Sequence, residues 1–317
     1  MLVRVQDWGD VPEIQSEQGE IMRVGNAALA AAAGVVALAW PAISTAYQAT
    51  GSSISQAHAP STSYRAPRGL DGNPDINGVW QVLNTAQWDI EPHTSRAALA
   101  MREGPVRPVP AREVIALGAV GTVPAGPGVV EGGAIPYTPE GLAKRDENRS
   151  KWLERDPEIK CYLPGVPRAN YMGFPFQILQ SDQATLFAYE YAGAVRNIEL
   201  TDPGEAPIES WMGQSYGRWE GETFVVEVTG QNDQTWFDRA GNHHSAMMTV
   251  VERYTPTGPD TMRYEAEITD PETFTRPWKM SMNLYRRVGE DARLQQFKCV
   301  EHVEELLYGQ LRKNPLD

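Results

Sequence analysis

Of the 317 residues only two are cysteine and five are histidine. No His-x-x-x-His or Cys-x-x-Cys pair occurs, and the neighbours His243 and His244 would point to opposite faces of a strand. No metal site is therefore expected. Walker and dinucleotide loops are absent, so neither a nucleotide nor any other organic cofactor is expected. Basic residues are scarce: 28 Lys and Arg stand against 41 Asp and Glu, a net charge of -13. A nucleic-acid-binding face needs a basic surplus, so nucleic acid is excluded as a partner, and anionic lipid is disfavoured. No apolar run reaches the length of about 20 residues that spans a bilayer. The string Gly213-Gln214-Ser215-Tyr216-Gly217 spells a Gly-x-Ser-x-Gly elbow. A strand rather than a helix follows it, however, so no hydrolase nucleophile is expected.

The chain does carry an export pattern. Met22-Arg23 precedes an apolar run over residues 27–40, and Ser44-Thr45-Ala46 supplies small residues for cleavage. The first 21 residues are polar and acidic, unlike an n-region, so Met22 is the expected start and residues 1–46 are read as an upstream extension plus signal peptide. A membrane-anchored N-terminus is the rival reading, and no stable insertion is expected once the signal is cleaved. The expected location is periplasmic or secreted. In an oxidising compartment an isolated pair such as Cys161 and Cys299 favours a disulfide over a metal site, the alternative being two separate buried thiols.

Residues 47–73 are rich in Ser, Ala, Gln and Pro and read as a flexible linker. Residues 74–317 read as one β-rich domain with a loop and helix insertion at 85–160. Asn77-Gly78 turns into a first strand at Val79-Trp80-Gln81-Val82-Leu83. Residues 104–136, dominated by Gly, Pro, Ala and Val, read as a long surface loop. Thr138-Pro139-Glu140 opens a helix, with Thr138 as N-cap and Pro139 at the first helical position, that ends before Asp156-Pro157. Beyond residue 175, short alternating segments recur between Gly, Pro and Asp turns. They include 176–180, 185–191, 194–198, 224–228, 247–254, 262–269, 278–287 and 294–302, with Trp219-Glu220-Gly221 as one of the turns. A helical tail is expected over 303–311. Short turns permit antiparallel neighbours, so the fold class is mainly β: an antiparallel barrel, lipocalin-like, or a sandwich, with a few helices in the N-terminal insertion and at the C-terminus.

Gly78-Val79-Trp80 resembles the Gly-x-Trp that begins the first strand of lipocalin-type barrels. That resemblance implies a Trp closing the barrel floor against a basic side chain. A strand Trp in any β core is the alternative. Pro74 through Trp80, Cys161-Tyr162-Leu163-Pro164-Gly165-Val166-Pro167-Arg168, Gly217 through Thr223, Asn232-Asp233-Gln234-Thr235-Trp236, His244-Ser245 and Asp270-Pro271 with Pro277-Trp278 together resemble a large family of exported bacterial β-rich proteins. The resemblance covers roughly residues 70–302 and implies no particular activity. The chain departs from it in the spacing around Cys161–Arg168. It also has Asp202-Pro203-Gly204-Glu205-Ala206-Pro207 where an Asp-Gly-Arg-x-His-Pro turn would stand.

The expected function is an exported barrel that binds an apolar small molecule, with the aromatic residues and ten Met as lining or simply as core. Arg168, Arg196, Trp236, Trp278 and Tyr189 are candidate ligand-binding residues; Arg168, after Pro167, could anchor a carboxylate bidentately or merely bridge to a nearby Asp. A hairpin could also set Glu190 against Arg196. The alternative is a lyase or isomerase without organic cofactor. In that reading His244 with Asp233 moves protons, helped by an inward Glu190 or Glu252 whose burial would raise its pKa. Glu227, Glu265 and Glu267 also sit in apolar strands. The bland reading is that these charges face solvent and that residues 232–245 form a capped loop. A third reading is an envelope interaction protein that docks through the Pro/Gly insertion. Nothing in the sequence sets an oligomeric state.

Overall fold

The computed structural model describes residues 64–97, 101–102, 109–110 and 122–301. All belong to one compact unit, Gln56–Asp317; a first unit, Met1–Ser55, lies outside the described residues. The expected signal segment, most of the expected linker and the tail over 303–311 therefore also lie outside them.

Thirteen strands are described. Nine close into a barrel: β1 (Gly78–Val82), β6 (Phe176–Gln180), β7 (Ala184–Tyr189), β8 (Val195–Glu199), β9 (Gln214–Glu220), β10 (Thr223–Thr229), β11 (Thr249–Gly258), β12 (Thr261–Thr269) and β13 (Trp278–Arg286). Two-residue strands β2 (Arg96–Ala97) and β5 (Thr122–Val123) pair with each other, as do β3 (Met101–Arg102) and β4 (Val109–Pro110). The long loop expected over 104–136 thus contains short strands. Period-two alternation sends Val250, Glu252, Tyr254 and Pro256 of β11 inward, with Met262, Tyr264, Ala266 and Ile268 of β12 and Trp278, Met280, Met282 and Leu284 of β13.

The ring runs β1-β13-β12-β11-β10-β9-β8-β7-β6 and back to β1. Eight neighbouring pairs are antiparallel and one, β8 with β9, is parallel. Direction reverses at every antiparallel contact, so a closed ring needs an even number of them. With nine strands at least one contact must be parallel. The barrel is therefore mixed, where the sequence suggested an antiparallel one. The parallel junction is also the shortest ladder in the ring, two residue pairs, Ile198↔Ser215 and Glu199↔Tyr216, against three to nine elsewhere.

Two expected boundaries move. β11 runs on through Pro256 to Gly258, because Pro256 sits beside a register shift where a missing N–H is tolerated. Residues 294–300 form no strand: closure already pairs both edges of β13, so no edge remains to join. That segment instead places Phe297 against Phe174 and Tyr191, at 4.7 and 5.3 Å, and Cys299 bonds Cys161. The expected disulfide is present. The segment expected as a linker reaches the barrel from Tyr64 onward, where Ala66 is buried and Asp71 accepts from Gln180 at 2.8 Å.

The helical insertion covers the barrel end that carries Thr249, Thr269 and Trp278. Helix α1 (Pro139–Ser150) begins at Thr138, whose Oγ1 accepts from Gly141 N at 3.0 Å; α2 (Trp152–Arg155) ends at Asp156. Helix α1 packs through Gly141, where a Cβ would stand 2.6 Å from the Thr273 carbonyl. Among the described residues no helix is long and apolar enough to cross a membrane.

The opposite end is closed by Trp80. Its Nε1 donates to Ile76 O at 2.9 Å and the Arg286 guanidinium lies 4.6 Å from its ring centroid. Arg286 also donates to Asn77 O. Gly78 makes this possible: at φ 138 its Cβ would stand 2.6 Å from Arg286 Nη1. The first strand thus carries the Trp-on-basic closure that the Gly-x-Trp resemblance implied. A cavity of about 310 Å³ lies beside it, lined by Tyr64, Pro67, Trp80, Pro256 and Arg286. Trp80→Ala is expected to lower the unfolding free energy by about 3–5 kcal/mol in urea titration. A loss under about 1 kcal/mol would mean that Trp80 does not hold the floor.

Candidate functional site

Strand β8 reads as an ordinary half-apolar strand, yet it buries Arg196 and Ile198 and exposes Val195. Its register against β7 decides this. Phe187 pairs with Arg196 and Thr185 with Ile198, and Phe187 and Thr185 face inward. A one-residue slip would expose the whole inner set.

A buried guanidinium needs a partner, and β11 supplies it. Glu252 Oε2 accepts from Arg196 Nη2, and both side chains are almost wholly excluded from solvent. The second carboxylate oxygen, Oε1, accepts from Asn170 Nδ2 at 2.8 Å, Tyr254 OH at 2.9 Å and Tyr264 OH at 2.7 Å. All four groups that reach Glu252 donate to it, the pattern of a carboxylate. Tyr189 OH donates to Asn170 Oδ1 at 3.0 Å, and Arg196 Nε donates to Ser215 Oγ at 2.7 Å. Asn170 enters from the 3₁₀ turn Arg168–Tyr171. Burial opposes the Arg196 charge and Glu252 outweighs it, holding the guanidinium well above its ordinary value. Burial, then the Glu252 charge, pushes the Tyr254 and Tyr264 hydroxyls well up, so they stay protonated.

Two donors in this region have no hydrogen-bond partner among the described residues: Arg196 Nη1 and Thr185 Oγ1. The residues are diagonal neighbours on the inner face of the β7–β8 ladder. A cavity of about 360 Å³ opens where β8 and β9 meet. It is lined by Asn197, Glu199, Thr201, Asp202 and Gln214 and reaches Ser215, the residue that holds Arg196.

Arg196, Glu252 and Tyr189 are thus brought together; the other residues singled out in the sequence are not part of this cluster. Glu190 does not pair with Arg196 across the hairpin, because Arg196 points inward; Glu190 accepts from Gln295 N at 2.7 Å. Arg168 is buried in a separate network, 2.7 Å from Glu158 and 3.5 Å from Asp156. Arg239 bonds Glu158 through two nitrogens, at 2.7 and 2.6 Å, and lies over the Trp88 ring. Trp278 packs on Phe237 and Phe274, and buried Trp236 bridges His243. Asp233 is exposed.

His244 is buried with both ring nitrogens engaged. Nδ1 lies 2.9 Å from Ser245 O and Nε2 lies 2.6 Å from Thr235 Oγ1. A carbonyl only accepts, so Nδ1 carries the proton and Nε2 accepts from the Thr235 hydroxyl. Burial lowers its pKa to about 4. His243 turns elsewhere, with Nε2 3.0 Å from Gly141 O. Among the described residues no group of His, Cys, Asp and Glu could hold a metal ion.

Asn170, Thr185, Ser215, Tyr254 and Tyr264 were not singled out in the sequence. Tyr254 shares a strand face with Glu252 two residues away and lies opposite Tyr264, a signal that period-two reading could have used. No protein-family model, curated protein or solved structure matches this chain. The resemblances noted in the sequence rest on their own residues.

Two predictions follow from the charge placements. Arg196→Met leaves Glu252 buried and unpaired and is expected to cost about 3–5 kcal/mol of stability, while Arg196→Met with Glu252→Met costs less than that single change. Urea unfolding of the two proteins decides it, and additive losses would mean the pair is not coupled. The folded His244 ring stays neutral down to about pH 4, whereas the unfolded one protonates near 6.5. Its contribution is complete above pH 6.5 and is lost as pH falls through 4. Asp238, raised to about 7 by burial and by Asp89, acts with the opposite sign and partly hides this in the wild type. The stability difference between wild type and His244→Gln is therefore expected to shrink by up to about 3 kcal/mol between pH 7 and pH 4.

Proposed function

We propose that this chain is an exported β-barrel protein that binds a small, mainly apolar molecule, with the polar end of the ligand held by Arg196 and Thr185. The observation that carries this reading is the pair of buried donors without partners on adjacent strands, on the inner face of a wall whose outer face carries the seam cavity that reaches Ser215. Most buried polar side-chain atoms in native proteins find partners; other buried atoms among the described residues also lack one, but Arg196 Nη1 and Thr185 Oγ1 stand on adjacent strands beside the weakest ladder of the ring, which marks them as a place for an acceptor atom. The surrounding side chains are apolar and aromatic: Phe187, Ile198 and Phe224 are fully buried in the same core as Tyr254 and Tyr264. Ligand sites are commonly apolar with a few placed polar groups. The two-pair ladder between β8 and β9 is the route of entry, since it has the fewest hydrogen bonds to open.

Export is the reading supported by the positive n-region and apolar run before residue 46 and by the Cys161–Cys299 bridge, because disulfides persist in oxidising compartments. The proton-transfer alternative centred on His244 has less support: both ring nitrogens are occupied, and Asp233 is exposed.

Native mass spectrometry of the protein purified from its exported form tests the reading. A bound small molecule of mainly apolar character is expected, and Gln214→Trp, at the half-buried lining of the seam cavity, is expected to reduce its occupancy. If nothing co-purifies and no compound in a lipophile panel raises Tm by more than about 2 °C at saturating concentration, the barrel is not a binder.

A further inference from the structure

The charges around the seam say which ligand chemistry fits, given the binding reading above. The Arg196 charge is already matched by Glu252, and Asn170, Thr185, Tyr189, Ser215, Tyr254 and Tyr264 add none. The buried cluster is therefore neutral as a whole, although two donors remain to be satisfied. A ligand carboxylate would satisfy them but would leave one uncompensated negative charge in a site closed to water. Desolvating such a charge costs several kcal/mol. A carbonyl or hydroxyl oxygen satisfies the same donors without that cost. The entrance acts in the same direction. Glu199 and Asp202 line the cavity, and the whole chain carries -13. An approaching anion is repelled before it reaches the barrel. A cationic head gains at the entrance but meets only donors inside.

We infer that the site selects a neutral small molecule presenting a carbonyl or hydroxyl oxygen to Arg196 Nη1 and Thr185 Oγ1, and rejects carboxylates on the same frame. A ligand carboxylate has no role to fill at Arg196, because Glu252 already holds the guanidinium from within the chain.

Three probes on one frame test it with the full exported chain: acetophenone, with a neutral acceptor; benzoate, with an anionic one; and ethylbenzene, with none. Ligand-observed NMR titration at pH 7.5 measures all three. Acetophenone is expected to bind at least about tenfold more tightly than benzoate and about fivefold more tightly than ethylbenzene, the latter corresponding to one net hydrogen bond. Thr185→Val, which keeps the shape and removes one donor, is expected to bring acetophenone towards the ethylbenzene value and leave ethylbenzene unchanged. Benzoate binding as tightly as acetophenone overturns the inference but leaves the binding reading in place. So does an acetophenone affinity that Thr185→Val does not alter. If none of the three probes binds while a member of the lipophile panel does, the inference falls and the binding reading stands; if the panel also fails, the binding reading itself falls.

Discussion

Closure of an odd number of strands is the constraint on which the rest of the structure depends. An open sheet of nine strands could be antiparallel throughout, but a closed ring cannot, because strand direction must return to itself after one circuit. The chain meets this demand at β8 and β9, using residues 200–213 to bring β9 back alongside β8 in the same direction. Parallel ladders tie strands slightly less well per residue, and this one has only two residue pairs. The geometry therefore puts a weak line in an otherwise continuous wall. Elsewhere the barrel has no free edge, which also spares it the edge-to-edge pairing that threatens open sheets.

The buried charges lie next to that line. A purely apolar interior would suffice for stability, since replacing a buried ion pair by packed hydrocarbon is often neutral or favourable. Instead, Arg196 on β8 reaches across to Glu252 on β11, and Asn170 arrives from the 3₁₀ turn before β6 to bond Glu252, Tyr189 and Tyr254. The network joins strands far apart in sequence to a segment outside the barrel. The arrangement fixes register: a one-residue slip in β8 would strand both Arg196 and Glu252. Specificity of pairing is a sufficient structural role for the pair. It does not account for the unsatisfied Arg196 Nη1 and Thr185 Oγ1.

Much of the architecture was legible in the sequence because local signals agreed with the fold. Period-two alternation marked β7, β10, β12 and β13; Thr138 and Pro139 marked the start of α1; the cysteine pair marked the bridge; and Gly78-Val79-Trp80 marked the closed floor. The failures share one cause, dependence on a partner distant in the chain. Residues 294–300 have strand-like composition, but β1 had already taken the free edge of β13. The parallel contact follows from counting strands around a ring, not from any local pattern. Which of Val195 and Arg196 faces inward is set by the register against β7, which local alternation does not give. The site was legible only in part. Arg196, Glu252 and Tyr189 were singled out, but their mutual contact requires β8 and β11 to face each other across the barrel. His244 stood out by composition, and its neutral, doubly bonded state depends on Thr235 and Ser245 folding around it.

The two ends and the one seam divide the work of the barrel. At the floor, Trp80 and Arg286 close the ring where β11 turns into β12. At the other end the insertion and the 3₁₀ turn after it are bonded down at many points: Tyr171 OH donates to Phe237 O at 2.9 Å, Ile90 N to Asp238 at 2.9 Å and Thr138 N to Thr273 O at 2.9 Å. The Cys161–Cys299 bridge ties that insertion to the segment following β13, across a separation of 138 residues. Opening either end would break an aromatic stack or several buried hydrogen bonds together. Parting β8 from β9 breaks one short ladder beside a cavity that already reaches Ser215. For the ligand proposed above, the seam is therefore a less costly route than either end.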